Sequence, residues 1–144
     1  MSELAHLRTQ RIDEILLATI IGEVDLSNAR SLVDTIAATM PDDAALVVLD
    51  LSQTTYLDSA GIAGVFRLAE RLRIRRQDLR LVVPPDSPIR AALRLTHLDH
   101  VIQVDDAVAD TLPDLPPDVE AATVSRSERA LDRSTSPLIA TSWV

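Results

Sequence analysis

Residues 56–64 read Tyr-Leu-Asp-Ser-Ala-Gly-Ile-Ala-Gly, and they hold two of the three glycines in the chain. The pattern predicts that a buried strand leads into a tight turn at Asp58-Ser59 and that an amphipathic helix follows. The first N–H groups of a helix lack partners within the helix and bear a partial positive charge, so they can hold a phosphate. A serine held at this point is therefore well placed to act as a phosphorylation switch.

Strands and helices alternate on both sides of this turn. Runs of apolar residues predict strands over residues 7–11, 15–21, 45–49, 79–83 and 101–104. Helical spacing of apolar residues predicts helices over residues 26–40, from the turn at Ser59 onward, over residues 87–95, and from Asp105 to about residue 112. The alternation predicts one α/β domain, in which a mixed, mostly parallel sheet of about five strands packs with about four helices.

We expect two of these helices to bury a regular apolar stripe. The stripes comprise Leu26, Ala29, Leu32, Val33, Ile36 and Met40 in the first helix, and Ile62, Val65, Phe66, Ala69 and Leu72 in the second. Asp25 or Ser27 is placed to cap the first helix. The outer face of the second helix carries Arg67, Arg71 and Arg75, which we expect to lie in solvent rather than to recognise a partner.

The composition argues against several classes of partner. The formal net charge of −8 disfavours nucleic acid, because a phosphate backbone demands a basic surface. The longest apolar run, residues 15–21, is far shorter than the roughly 20 residues that span a bilayer. The beginning of the sequence lacks the basic-then-apolar order of a signal peptide. We therefore expect a cytoplasmic protein that binds neither nucleic acid nor membrane.

The candidate catalytic and metal-binding residues form no convincing site. His97 and His100 lie three positions apart without an evident third ligand, and the chain has no cysteine. Ser59 is not in a Gly-x-Ser-x-Gly elbow and has no evident histidine base. Asp50 ends a strand, as the phosphoacceptor of a receiver domain does, but the lysine that such domains need is missing. We expect no metal, no cofactor and no catalytic activity.

The composition changes after Leu112. Pro113, Pro116 and Pro117 interrupt any regular element, and residues 123–137 are rich in serine and arginine. Such a segment buries too little apolar surface to offset the entropy of ordering it. We therefore expect a domain over residues 1–112 and a flexible Pro/Ser/Arg-rich tail over residues 113–144. Apolar residues near the end of the tail leave open docking on the domain or on a partner: Leu138, Ile139, Trp143 and Val144.

Three stretches in this order resemble the STAS domain, the fold of bacterial anti-sigma factor antagonists. Residues 22–25 (Gly-Glu-Val-Asp) with Ala29 resemble the start of the family's first helix. Residues 46–51 followed by residues 58–61 (Asp-Ser-Ala-Gly) resemble its buried strand and phosphoserine loop. The closing strand and helix are matched by residues 81–83, Ile89, Leu93, Leu98 and residues 101–102. The resemblance covers residues 7–112.

The resemblance implies a switch at Ser59. In the family, a serine/threonine kinase that is also the anti-sigma factor phosphorylates the serine after the aspartate, and a phosphatase reverses this. The matching acceptor here is Ser59. The unmodified protein would bind the kinase and release a sigma factor in a stress response, with the chain as a monomer or weak dimer. The resemblance assigns partner contacts to Glu23, Asp25, Asp58, Ala60, Gly61 and Ile62. For Glu23 and Asp25, helix capping and solvation is an equally weighted interpretation.

The sequence departs from the family pattern at three points. Ala60 replaces the usual serine or threonine, residues 61–64 read Gly-Ile-Ala-Gly, and the loop at residues 76–78 (Arg-Gln-Asp) contains no glycine. These departures keep an alternative open, in which Ser59 is not phosphorylated. The chain would then be a ligand-binding or scaffold subunit of a stress-signalling or transporter complex.

Overall fold

The computed structural model describes residues 4–111, which form a six-stranded sheet with four α-helices. In chain order the elements are β1 (Ala5–Ile12), β2 (Ile15–Val24), α1 (Ala29–Thr39), β3 (Leu46–Asp50), β4 (Thr54–Leu57), α2 (Ser59–Ile74), β5 (Asp78–Val82), α3 (Arg90–Leu95), a 3-10 helix (Leu98–His100), β6 (Gln103–Asp105) and α4 (Val108–Thr111). The predicted tail over residues 113–144 lies outside the described residues.

The sheet is mixed, as the sequence predicts. Its strand order is β1-β2-β3-β5-β6, and β4 pairs with β2 outside this series. A tight turn at Asp13, whose φ is +53°, joins the antiparallel strands β1 and β2. The remaining pairs are parallel. Because parallel strands end at the same edge, the carboxyl ends of β2 to β6 lie together.

The period-2 alternation of side chains divides the core between the two faces of the sheet. On β3, Val47 and Leu49 point to the face covered by α1 and α2, whereas Val48 points to the other face. On that second face Val48 packs with Leu17, Val82 and Val108 of α4. The larger cluster lies on the first face and therefore fixes the position of α2.

Strand β4 corresponds to the strand predicted to lead into the turn at Asp58-Ser59, although only two of its four residues are buried, and it makes six strands where about five were predicted. It has only four residues and follows β3 after a short turn. Thr54 Oγ1 donates a hydrogen bond of 2.8 Å to Ile20 O, and Gly22 N donates to Gln53 O. These contacts join residues more than thirty positions apart, so no local pattern reveals which strand β4 pairs with.

The first helix begins later than predicted. It starts at Ala29 rather than at residue 26, and Asn28 precedes it without a side-chain cap hydrogen bond. Leu26 consequently lies in the loop and is 83% exposed, so its assignment to the buried stripe was wrong. Phe66 is also exposed, at 36%, and Leu68 takes the buried position on α2.

Two exposed arginines of α2, Arg71 and Arg75, also contact α1 and the loop after it. Arg71 forms an ion pair of 2.7 Å with Asp34. Arg75 pairs with Asp42 at 2.9 Å and donates to the carbonyl oxygens of Ala37 and Met40. Both arginines are exposed, as expected, and they also form ion pairs with α1 and the loop after it, because α1 lies alongside α2 in the folded domain.

Later elements shift by a few residues from their predicted positions. Helix α3 begins at Arg90 rather than at residue 87. Strand β6 spans Gln103–Asp105, and Val101 is exposed in the turn before it. Asp105 does not cap α4 at its start; its Oδ2 accepts a hydrogen bond from Thr111 Oγ1 at the other end of the helix.

Helix α2 ends in a turn that usually contains glycine. Arg76 has φ of +60°, and Gln77 N donates to Leu72 O while Arg76 N donates to Arg73 O. These bonds define a Schellman motif, whose left-handed residue is most often glycine. The loop at residues 76–78 therefore forms a Schellman motif without glycine. Arg76 takes the left-handed conformation instead, which is unfavourable for a residue with a side chain.

We predict that Arg76→Gly stabilises the domain by about 1 kcal/mol, because glycine adopts positive φ without steric strain. Urea denaturation followed by circular dichroism measures the change. Arg67→Gly is the control: Arg67 lies on the exposed face inside the same helix, where glycine costs about 1 kcal/mol. If both variants lose stability equally, the left-handed position imposes no strain.

Candidate functional site

The loop after β2 and the turn after β4 lie side by side at the carboxyl edge of the sheet. Glu23 is the register partner of Tyr56, and Val24 is the partner of Leu57. Asp58 N then donates a hydrogen bond of 3.3 Å to Val24 O. The structure thereby brings the predicted site residues Glu23, Asp25, Asp58 and Ser59 to one edge, although more than thirty positions separate the two loops.

Asp58 caps α2 and so places Ser59 at the first helical position. Its Oδ1 accepts a hydrogen bond of 3.0 Å from Gly61 N, and its backbone is extended. Its carbonyl oxygen accepts the first bond within the helix, from Ile62 N at 2.9 Å. Ser59 is exposed, and among residues 4–111 its hydroxyl has no hydrogen-bond partner. The hydroxyl is therefore open to solvent at the start of the helix.

The three residues after Ser59 hold the helix against the core. Ala60 is half-buried, and Gly61 and Ile62 are buried. A methyl group on Gly61 would overlap Leu57 Cδ1 and would lie 3.2 Å from Val24 Cγ1. Gly61 is thus needed for the close approach of α2 to β2 and β4. Partner contacts of Ala60, Gly61 and Ile62 remain predictions, and burial limits the side-chain surface that the three residues can offer.

The loop before α1 is ordered by a compact hydrogen-bond network. Asp25 Oδ1 accepts from Ser27 Oγ at 2.6 Å and from Ser27 N at 2.8 Å. Asn28 Oδ1 accepts from Asp25 N, and Asn28 Nδ2 donates to Glu23 O at 2.9 Å. The hydrogen bonds from Ser27 lower the pKa of Asp25, because they favour the charged carboxylate. Asp25 therefore remains a carboxylate throughout the neutral range.

Two exposed apolar side chains lie at the same edge. Tyr56 is 49% exposed and is paired with Glu23, and Leu26 follows Asp25 in the loop. The sequence alone did not predict that these two side chains are exposed. The helix-like spacing of Leu26 pointed to the core, and Tyr56 was grouped with the turn. The edge therefore combines carboxylates with exposed apolar surface, a composition suited to binding another protein.

The described part of the chain contains two other groups of residues that the sequence raised as candidates, the histidine pair and Asp50. The rings of His97 and His100 lie 5.2 Å apart. However, over residues 4–111 no group of three or more metal-ligating side chains is placed to hold an ion. Asp50 is buried at the end of β3, where its Oδ1 accepts from Ser52 N at 2.9 Å. Within the same residues, no helix is long and apolar enough to cross a membrane.

The chain belongs to the STAS domain family, whose sequence pattern matches residues 6–111. Over 67 residues it is 37% identical to "Putative anti-sigma factor antagonist BtrV" of Bordetella bronchiseptica. That match spans 46% of this chain and 58% of BtrV, so somewhat more than half of the relative is covered.

Two solved structures share the fold. An anti-sigma factor antagonist from Mycobacterium paratuberculosis has a TM-score of 0.68 and 24% identity, and the match covers 76% of this chain and 92% of that one. The Bacillus cell fate determinant SpoIIAA in its phosphorylated form has a TM-score of 0.53 and 16% identity, with 76% and 97% covered. At these identities the likeness concerns the fold.

We predict that Gly61→Ala destabilises the domain by about 1–2 kcal/mol, since overpacking against Leu57 outweighs the better helix propensity of alanine. Gly64→Ala is the matched control in the same helix. A methyl group there lies 3.2 Å from Val33 Cγ2, so we expect stability within about 1 kcal/mol of the wild type. Thermal unfolding of both variants measures the difference. Equal stabilities would contradict a special role for Gly61.

We predict that Ser27→Ala raises the pKa of Asp25 toward its ordinary value, because the hydroxyl donor to the carboxylate is lost. A lowered pKa in the folded state stabilises the fold above the unfolded-state pKa, and this contribution disappears as the pH falls through the folded-state pKa. An NMR titration of the Asp25 carboxyl carbon measures the shift. Ser27→Thr, which keeps the hydroxyl, should leave the pKa low; an equal rise in both variants would exclude the hydroxyl as the cause.

Proposed function

We propose that this chain is an anti-sigma factor antagonist whose binding is switched at Ser59. The unmodified protein binds an anti-sigma factor that is also a serine/threonine kinase, and this binding releases a sigma factor. Phosphorylation of Ser59 by that kinase ends the binding, and a phosphatase restores it. Membership of the STAS family and the name of the relative BtrV support the class of function.

The observation that carries the proposal is the presentation of Ser59. Its hydroxyl is exposed at the first position of α2, beside a carboxylate that already caps the helix. A kinase can therefore reach the hydroxyl without unfolding the helix. The helix N-terminus also offsets part of the charge of a phosphate placed there, by about 0.3–1 kcal/mol.

The charge at the edge explains how phosphorylation would change binding. Glu23, Asp25 and Asp58 already give this edge a negative charge, and phosphate adds about −1.5 to −2. A partner surface that accommodates a neutral hydroxyl would have to desolvate this added charge or bear its repulsion. A change of about 3 kcal/mol lowers affinity more than a hundredfold. The switch needs no rearrangement of the fold.

The test is phosphopeptide mass spectrometry of the protein from its own cells, with partners retained by a mild pull-down. We expect phosphate on Ser59 and recovery of an ATP-binding anti-sigma factor by the unmodified form alone. Recovery of a transporter or scaffold protein with Ser59 unmodified under growth and stress would instead support the ligand-binding or scaffold alternative.

We predict that Ser59→Ala retains the anti-sigma factor under all conditions, whereas Ser59→Glu binds it at least about tenfold more weakly, because a fixed charge mimics only part of the phosphate. Isothermal titration with the recovered partner measures both affinities. Ser52→Ala is the control, since Ser52 is exposed in the nearby turn before β4. Equal affinities of the Ser59 variants would contradict a switch at this position.

A further inference from the structure

The second half of α2 is strongly basic, although the formal net charge of the chain is −8. Residues 67–76 contain five of the 14 basic residues of the chain and one acidic residue, Glu70. We call the exposed surface of this segment the arginine end; it comprises Arg67, Arg71, Arg73, Ile74 and Arg76. Arg75 is not included, because Asp42 and two carbonyl oxygens of the same domain hold its guanidinium group. The arginine end is therefore a concentrated positive surface on an acidic protein.

Two arginines of this surface are available for pairing with another molecule. In the part of the chain that the structure describes, Arg67 and Arg76 form an ion pair with no carboxylate. Ile74 lies two helical turns after Arg67 on the same side of α2, and it is 73% exposed. Unpaired guanidinium groups beside an exposed apolar side chain are suited to contact with an acidic protein surface.

Arg76 occupies a backbone position that is unfavourable for arginine. Its φ is +60°, and it closes α2 at the place that glycine usually takes. Strained positions of this kind cluster at binding and switch regions, where the side chain has a role that offsets the strain. The sequence alone favoured plain solvation for the arginines of α2. The left-handed Arg76 and the exposed Ile74 point instead to a surface that binds.

The complementary charge lies at the other end of α2. We call this surface the Ser59 edge; it comprises Glu23, Asp25, Tyr56, Asp58 and Ser59. Among residues 4–111 no ion pair involves its three carboxylates, and Arg30, the nearest arginine in the sequence, does not pair with them. Glu23 is the register partner of Tyr56, which is 49% exposed. The Ser59 edge thus combines unpaired carboxylates with an exposed aromatic ring.

The two surfaces of one molecule lie too far apart to pair with each other. Helix α2 runs from Ser59 to Ile74, and at 1.5 Å per residue its ends are about 22 Å apart. The arginines near Ile74 can therefore reach the Ser59 edge of another molecule only. The net charge of −8 repels copies that approach through their acidic surfaces. This repulsion favours the orientation in which the arginine end of one copy meets the Ser59 edge of the next.

We propose that the arginine end of α2 binds the Ser59 edge of a second copy of this chain, head to tail. Arg67 and Arg76 pair with the carboxylates of the edge, and Ile74 packs against Tyr56 of the second copy. The contact joins two different surfaces, so each pair of molecules keeps one surface of each kind free for further copies. The affinity is low, because exposed ion pairs each contribute little.

The contact would affect the proposed switch, and this consequence rests on the proposed function. A second copy on the Ser59 edge covers Ser59 and competes with the anti-sigma factor for the same carboxylates. A phosphate on Ser59 strengthens the head-to-tail contact, because arginine forms strong charged hydrogen bonds with phosphate. Phosphorylation would therefore weaken binding of the anti-sigma factor and strengthen self-association.

The test is sedimentation equilibrium of the full chain without any partner, at concentrations up to about 1 mM, where weak contacts are populated. We expect the apparent mass of the wild type to rise with concentration and that of two variants to remain the monomer mass. The first variant is Arg67→Gln with Arg76→Gln, and the second is Glu23→Arg. A mixture of the two variants should associate again, because the unaltered Ser59 edge of one meets the unaltered arginine end of the other.

Two controls change the net charge by the same amounts at other places. Arg94→Glu matches the first variant and Asp110→Arg matches the second, since both residues are exposed and lie outside the two surfaces. Both controls should associate as the wild type does. Ser59→Glu should associate at lower concentrations than the wild type, because it adds negative charge to the edge. Thermal unfolding checks that each variant is folded, and the double arginine variant alone suffices if Glu23→Arg is not.

Four results would overturn the proposal. They are a wild type that remains a monomer at every concentration, equal loss of association in a control, a mixture of the two variants that remains monomeric, and weaker association of Ser59→Glu. None of them bears on phosphorylation of Ser59 or on recovery of an anti-sigma factor from cells. Failure of the head-to-tail contact is therefore distinguishable from failure of the proposed function.

Discussion

The parallel pairing of β2 with β4 is the constraint on which the functional surface depends. The pairing is short and ends with Val24 opposite Leu57. Directly after it, Asp58 N donates a hydrogen bond to Val24 O. Because both strands run in the same direction, their following loops emerge at one edge. Without this pairing, the ordered loop around Asp25 and the start of α2 would not share a surface.

Packing beneath that edge determines the direction of α2. Gly61 allows the first turn of the helix to approach Leu57 and Val24. At the other end of the helix, Leu72 is fully buried in the core. Along the helix, Arg71 and Arg75 connect it to α1 and the following loop. Such exposed ion pairs each contribute about 0–1 kcal/mol, so apolar burial supplies most of the stability. The arginines mainly define how the two helices lie beside each other.

The carboxyl edge of the sheet around Ser59 is both ordered and accessible. The Asp58 cap satisfies the backbone of α2 and leaves the serine hydroxyl exposed. Under the proposed function, a phosphate on Ser59 would change the charge of this edge without changing the fold.

Local sequence was sufficient to predict the α/β class, the start of α2 and the exposure of Ser59, because an N-cap depends on residues within about four positions. It was not sufficient to predict the pairing of β4, because Gly22, the partner of Thr54, lies more than thirty positions away. Nor did helical spacing predict the exposure of Leu26, since the network around Asp25 delays the start of α1. Only the tertiary structure decided that Glu23 and Asp25 lie beside Ser59, because strand register is set by long-range packing.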